Sequence, residues 1–96
     1  MYWTYVLWSA RLRKRYTGAT DNVHKRLLEH NRSQTPFTSR GIPWILIHHE
    51  PFATFSEAKQ RERFLKSGVG RQWLDQQFPQ YTRSNKDSDT EGCESG

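Results

Sequence analysis

The hydrophobic positions at the start of the chain follow the pattern of a β-hairpin. Residues 1–8 are dense in aromatic and β-branched side chains, which favour a strand. Residues 13–17 form a second short strand candidate, separated from the first by only a few residues. Gly18 is predicted to end that second strand. The two segments are therefore expected to pair with each other.

A helix and a third strand are predicted to follow. The Thr-Asp-Asn segment 20–22 supplies helix-capping side chains, and residues 23–31 have helical spacing. Residues 34–41 have the proline and glycine content of a loop. After Pro43, the apolar run over residues 44–49 predicts a third strand in the centre of the sheet.

A second helix is predicted over residues 57–66. Thr54 and Glu57 have the spacing of a capping box, and Ser56 is a competing cap. The glycines that follow this segment are predicted to interrupt the helical structure.

Those glycines, Gly68 and Gly70, precede a last short helix over residues 71–78, which Pro79 is predicted to stop. The predicted order of elements is β-β-α-β-α-α. It indicates a small domain of the α+β class.

Composition narrows the class of protein. The 96 residues leave room for one domain, and 13 Trp, Tyr and Phe side chains can close a small core although only 33% of the residues are hydrophobic. Cys93 is the only cysteine, which excludes a disulfide scaffold and a zinc site built on several thiolates. No apolar run has the length of a membrane helix. We therefore expect a soluble protein of a reducing compartment, the cytoplasm.

Charge is distributed unevenly along the chain. Residues 1–78 carry 13 Lys and Arg against 6 Asp and Glu, a net charge of +7, whereas residues 79–96 carry 2 against 4. The polar segment 79–96 is expected to be a disordered tail. The basic body favours a polyanionic partner, nucleic acid ahead of ribosomal or acidic protein surfaces, although solvated lysines alone would give the same balance.

Two residues of the first predicted helix are candidates for chemistry. On a helical wheel Arg26 and His30 lie on one face, at the edge of the apolar stripe. That position suits the wall of a cleft, where an arginine can bind a phosphate. The alternative is structural, because arginine stems cover apolar surface and histidines are often half-buried.

Glu62 lies within the apolar stripe of the second predicted helix. Burying a lone carboxylate is costly unless it is paired or bound to a metal. The two hypotheses are a salt bridge, to Arg26 or another arginine, and a ligand to Mg²⁺.

Two tyrosines, Tyr5 and Tyr16, bracket the hairpin. Tyrosines in strands usually serve packing, so their hydroxyls matter chemically only if they converge on the polar candidates. His48 and His49 are adjacent on a predicted strand and would point to opposite faces, so they cannot chelate a metal together.

In this order and spacing, the polar candidates resemble the GIY-YIG nuclease superfamily. The second tyrosine triplet is represented by Tyr16-Thr17-Gly18, whereas the first, Trp3-Thr4-Tyr5, keeps only the tyrosine. Residues 29–31, 37–44 and 66–74 resemble the small stand-alone branch, which is similar to the N-terminal module of the incision subunit of nucleotide excision repair. The resemblance covers residues 2–78. The matching polar residues are Tyr5, Tyr16, Arg26, His30 and Glu62.

The resemblance implies a three-stranded antiparallel sheet flanked by helices, with a phosphodiesterase site on its surface. Glu62 would hold one divalent ion, Mg²⁺ or Mn²⁺. Tyr5 or Tyr16 would be the general base towards water, in concert with His30, and Arg26 would stabilise charge on the scissile phosphate. The implied function is a metal-dependent DNA endonuclease of weak sequence specificity, in repair, recombination or processing.

Four basic residues are expected to contact DNA phosphates: Lys14, Arg40, Lys66 and Arg71. The chain is expected to act as a monomer or weak dimer. Many members of the superfamily carry an asparagine after the metal-binding helix, and the only one here is Asn85. With the altered first triplet, this supports the alternative of a non-catalytic nucleic-acid-binding module. A protein-interaction role is a third hypothesis.

Overall fold

The computed structural model describes residues 1–32 and 40–82, and within them three strands form one antiparallel sheet. The strands are β1 (Tyr2–Ser9), β2 (Lys14–Thr20) and β3 (Trp44–Phe52), in the spatial order β2-β1-β3. The prediction that the third strand is central was wrong, because β1 lies in the middle. Residues 4–9 of β1 are all buried, whereas in β3 only Trp44 is buried and the other residues are partly buried or exposed, as on an edge strand.

The hairpin between β1 and β2 is confirmed, but β2 is longer than predicted. It continues through Gly18 to Thr20, and Gly18 is paired with Tyr5 of β1. Arg13 takes a positive φ of 56° in the connection, and its backbone N–H donates to the carbonyl of Ser9. Because it pairs with Tyr5 and β2 continues beyond it, Gly18 belongs to the strand and does not end it.

The first helix begins at the predicted residue, whereas the second begins two residues before its predicted start at residue 57. Helix α1 (Val23–Asn31) is capped by Asn22, whose side chain accepts a hydrogen bond from the backbone N–H of Lys25. Helix α2 (Phe55–Lys66) begins with the capping box of Thr54 and Glu57.

Helix α3 (Gly68–Gln77) starts three residues earlier than predicted, so the glycines do not interrupt the helical structure. Ser67 caps it by accepting a hydrogen bond from the N–H of Gly70. An added Cβ at Gly70 would clash with the carbonyl of Phe64. The glycine thus allows α3 to begin directly against the end of α2, which explains its presence inside a helix.

The sheet separates two clusters of buried side chains. On one face Tyr5, Leu7 and Trp44 pack beneath α1, and on the other Val6 packs with side chains of α2 and α3. Thr4, on the second face, donates from its hydroxyl to the carbonyl of Ala58 at 2.7 Å and so fixes α2 to β1. The confirmed class is therefore α+β, with one central strand that carries both faces.

Residues 79–82 belong to the segment assigned to the tail, and the structure describes them. Pro79–Tyr81 form a 3₁₀ turn, and the ring of Tyr81 lies 6.0 Å from that of Trp8. Arg15 connects this turn to α3 through Tyr81 and Asp75. The rest of the predicted tail, with Asn85 and Cys93, and residues 34–39 of the predicted loop lie outside the described residues. Across the described helices, none is long and apolar enough to cross a membrane.

Candidate active site

Tyr5 lies at the centre of the site because β1 is the middle strand. Its side chain is 1% exposed and lies over Gly18, its partner on β2. A Cβ at position 18 would come within 2.6 Å of the Tyr5 hydroxyl. That hydroxyl is 3.2 Å from Nε2 of His30, within hydrogen-bond distance. Gly18 therefore makes room for the ring that connects the hairpin to α1.

His30 occupies the last turn of α1 and is fully buried. Its ring centroid is 4.6 Å from that of Tyr16 and 6.2 Å from that of Tyr5. Burial, followed by the charge of Arg26, lowers the pKa of His30 to about 4. Among the residues described, nothing forms a hydrogen bond with its Nδ1. At neutral pH the site therefore contains an uncharged imidazole in contact with two tyrosines.

Asn31, the next residue, fixes the position of this histidine. Its side-chain amide donates to the carbonyl of Trp44 at 3.0 Å and accepts from the N–H of Trp44 at 2.6 Å. The indole of Trp44 lies 6.2 Å from the ring of Tyr16. One side chain thus replaces a backbone pairing at the start of β3 and joins the end of α1 to the sheet.

Arg26 reaches the same cluster from one turn earlier on α1. Its guanidinium donates to Oε1 of Glu29 at 2.7 Å and also interacts with the Tyr5 hydroxyl. Burial alone would lower the pKa of Arg26, but its interactions with Tyr5 and Glu29 raise it above the ordinary arginine value. With 32% of its side chain exposed, Arg26 presents a permanent positive charge to solvent.

The environment holds Tyr5 in its neutral form. Burial raises its pKa to about 12, and the charges of Tyr16 and Glu62 act in the same direction, while Arg26 opposes them. Tyr16 is half-buried, so it is the more accessible of the two tyrosines. The two hydroxyl-bearing rings therefore differ in access to water, at a centroid separation of 6.3 Å.

Glu62 lies on α2 and is 6% exposed, as its place in the apolar stripe predicted. Of the two hypotheses, the salt bridge forms, but with two lysines of the same helix instead of an arginine. Nζ of Lys66 donates to Oε2 at 2.7 Å, and Nζ of Lys59 lies 3.0 Å from Oε1. The lysines prevail because positions three and four residues away on a helix face each other.

The carboxylate is suited to a metal ion in one respect. Oε1 of Glu62 is buried and, within the described part of the chain, accepts no hydrogen bond despite the nearby Lys59 ammonium. The described residues contain no group of three or more acidic, histidine or cysteine side chains that could hold an ion. A single carboxylate completed by water and substrate phosphate is a common way of binding Mg²⁺.

The sequence of residues 1–74 matches the family model described as the GIY-YIG catalytic domain. The chain belongs to the GIY-YIG family. Its first triplet, Trp3-Thr4-Tyr5, places the tyrosine alone in the ring cluster, and Thr4 instead binds α2 on the other face.

Curated relatives of this GIY-YIG chain bear the name UPF0213 protein. One from Natronomonas pharaonis is 43% identical over 53 residues, which cover 54% of this chain and 62% of the relative. One from Staphylococcus haemolyticus is 38% identical over 53 residues, or 54% of this chain and 65% of the relative. The chain therefore spans less than two thirds of the length of these relatives. No solved structure matches the chain.

The four predicted DNA-contacting residues of the GIY-YIG domain lie in different settings. Lys14 is exposed at the start of β2, roughly 13 Å along the strand from Gly18. Arg40 and Arg71 are exposed, whereas the ammonium of Lys66 is engaged by Glu62.

The two adjacent histidines point to opposite faces of the sheet, as predicted. The imidazole of His48 pairs with Glu50, which also accepts two hydrogen bonds from Arg61 of α2. Burial opposes ionisation of Glu50, but its bonds to Arg61 and His48 lower the pKa of this carboxyl overall. His49 lies on the Tyr5 face, with its ring 5.1 Å from that of Trp3. His48 therefore helps to join β3 to α2 through Glu50 and Arg61.

Sequence reasoning assigned no individual role to four residues that organise the site. Lys59 and Glu29 lie three residues from Glu62 and Arg26, so helical spacing could have identified both ion pairs. The contact between Asn31 and Trp44 joins residues 13 positions apart through the fold, and no local pattern indicates it.

Proposed function

We propose that this GIY-YIG chain is a divalent-metal-dependent endonuclease that hydrolyses phosphodiester bonds in DNA. The supporting observation is the convergence of two tyrosine rings, a neutral imidazole and a guanidinium, in which the Tyr5 hydroxyl contacts both His30 and Arg26. Packing alone does not require a fully buried, uncharged histidine beside a permanent cation. Repair, recombination or processing of DNA is the proposed cellular role, in the cytoplasm.

The proposed mechanism assigns proton transfer to Tyr16. It is more accessible than Tyr5, whose pKa of about 12 opposes ionisation. Its ring packs on that of His30, and the hydrogen bond to Tyr5 holds His30 in place. Once its own hydroxyl proton has passed to solvent, Tyr16 as the phenolate would accept a proton from the attacking water, and Tyr5 would be a positioning residue.

Charge stabilisation is assigned to Arg26 and Glu62. The raised pKa of Arg26 keeps its guanidinium cationic, so it can stabilise the additional negative charge on the phosphate in the transition state. The Glu62 carboxylate would hold the divalent ion. Such an ion, when bound, supplies further positive charge and lowers the pKa of bound water.

The test is a cleavage assay on labelled single-stranded, duplex and branched DNA with Mg²⁺ or Mn²⁺. We expect Glu62→Gln and chelation of the metal each to abolish cutting, with the fold unchanged by circular dichroism. Glu57→Gln is the matched control on the same helix, because glutamine also serves in a capping box. Cutting that survives Glu62→Gln would contradict the proposal.

The second candidate function is a nucleic-acid-binding module without catalysis. The observation that favours it is the Glu62 carboxylate, which is already neutralised by two lysines. Binding that persists in chelator, with no cleavage under either metal, would select this alternative.

We further propose that the chain acts on DNA as a monomer or weak dimer. If one carboxylate holds one ion, each chain has a single catalytic centre. Such a chain would cut one DNA strand per encounter. A nicked duplex as the first product in the cleavage assay would support this proposal, and a direct double-strand break would oppose it.

A further inference from the structure

Two ammonium groups flank the Glu62 carboxylate on α2. Nζ of Lys66 is 2.7 Å from Oε2, and Nζ of Lys59 is 3.0 Å from Oε1. The carboxylate side chain is 7% exposed, whereas the side chains of Lys66 and Lys59 are 32% and 46% exposed. A fixed, buried anion is thus neutralised by two cations on flexible, partly solvated stems.

A divalent ion at this carboxylate would meet both ammonium groups. The three side chains together already carry a net charge of +1, and there is no cluster of acidic ligands in the described ranges to offset a further +2. Mutual repulsion at these distances would oppose binding of the ion unless the ammonium groups move away. The lysine stems can do so, since each has four methylene groups and reaches solvent.

We propose that Lys59 and Lys66 are exchangeable counter-ions of Glu62. In the free protein they neutralise the carboxylate, and on binding of DNA they move to its phosphate oxygens and leave the carboxylate to the divalent ion. The proposal rests on the proposed function, which assigns the ion to Glu62. Metal and DNA then bind cooperatively, each tightening the other by the same factor.

The test measures Mn²⁺ binding by electron paramagnetic resonance in the full chain, with and without a phosphorothioate oligonucleotide that resists cleavage. The oligonucleotide alone serves as the blank. We expect Mn²⁺ to bind the free protein weakly, and about tenfold more tightly with the oligonucleotide. In the free protein, Lys59→Gln and Lys66→Gln are each expected to tighten Mn²⁺ binding about three- to tenfold and to reduce the coupling.

Arg63→Gln is the matched control, because Arg63 is an exposed cation on the same helix. It removes the same charge and is expected to change Mn²⁺ affinity by less than about twofold. Thermal unfolding without metal verifies that each variant folds. Should a lysine variant fail to fold, the coupling in the parent protein still decides, since independent binding of Mn²⁺ and oligonucleotide would overturn the proposal.

Glu62→Gln distinguishes a failure of the counter-ion exchange from a failure of the metal site. If it abolishes Mn²⁺ binding and the lysine variants leave the affinity of the free protein unchanged, the exchange of counter-ions is wrong and the metal site stands. If Glu62→Gln binds Mn²⁺ as the parent does, the assignment of the ion to Glu62 is wrong, and this inference is overturned with it.

Discussion

Single residues in this site are explained by the space and the charge around them. Gly18 lies under the Tyr5 ring, and Gly68 at the start of α3 has no atom within 4 Å of an added Cβ. The same substitution therefore has opposite expected effects at the two positions. Gly18 makes room for the Tyr5 ring of the site, whereas a Cβ at Gly68 would meet no neighbouring atom within 4 Å.

Gly18→Ala is expected to lower the free energy of unfolding by about 1–3 kcal/mol, because the new methyl group displaces the Tyr5 ring. Cleavage should fall as well, since the hydrogen bond to His30 would be lost. Gly68→Ala is the control and should be neutral or stabilising by up to about 1 kcal/mol. Denaturant unfolding measures both, and equal destabilisation by the two substitutions would contradict the packing argument.

His30 gives the fold a specific dependence on pH. Its pKa is about 4 in the folded protein and 6.5 in the unfolded chain. Between those values the unfolded state binds more protons, so stability falls as pH decreases from 6.5 towards 4, by roughly 3 kcal/mol at most. Denaturant unfolding at several pH values should show a steeper decline for the parent than for His30→Gln. Parallel declines would contradict the assignment.

Elements were predictable where their signals are local. The caps of α1 and α2 are adjacent to the helices that they begin. The start of α1 was predicted correctly, whereas the start of α2 was predicted two residues too late. The central position of β1 was not predictable, because it depends on which faces α1 and α2 cover. The start of α3 was missed for a related reason, since Gly70 is there for contact with α2.

The candidate site, too, was predictable only where its signals are local in the sequence. The spacing of its polar residues indicated the family, but the salt-bridge hypothesis for Glu62 named arginines, whereas its counter-ions are Lys59 and Lys66. The union of α1 with β3 through Asn31 depends on the tertiary fold, so composition and periodicity could not reveal it.

Asn31→Ala is expected to cost about 1–3 kcal/mol of stability, because it removes two hydrogen bonds to the backbone of Trp44. It should also reduce kcat, since the last turn of α1 carries His30. Asn22→Ala removes the cap at the other end of α1 and should cost about 1 kcal/mol with little effect on kcat. Unfolding and single-turnover cleavage together separate these outcomes, and equal kcat values for the two variants would contradict the positioning role.

The net positive charge of residues 1–78 should dominate the proposed affinity for DNA. The net +7 of residues 1–78 acts on phosphates without regard to base sequence. Lys14→Gln and Arg71→Gln should each weaken binding uniformly across sequences and reduce the slope of log Kd against log salt by about one. Fluorescence anisotropy in a salt series measures this slope. Lys25→Gln, an exposed charge on α1, is the control, and an equal effect there would indicate a diffuse field rather than defined contacts.

The central strand also determines where this domain can change in length. Alternate residues of β1 face different layers, so Tyr5 joins the ring cluster while Thr4 anchors α2. An insertion of one residue before them would turn the tyrosine towards α2 and the threonine towards His30, and both layers would fail together. The turn over residues 10–13 lies outside the strand pairing, although its Leu12 packs against the Tyr5 cluster. Length variation among descendants of this gene should therefore accumulate in that turn and be absent from β1.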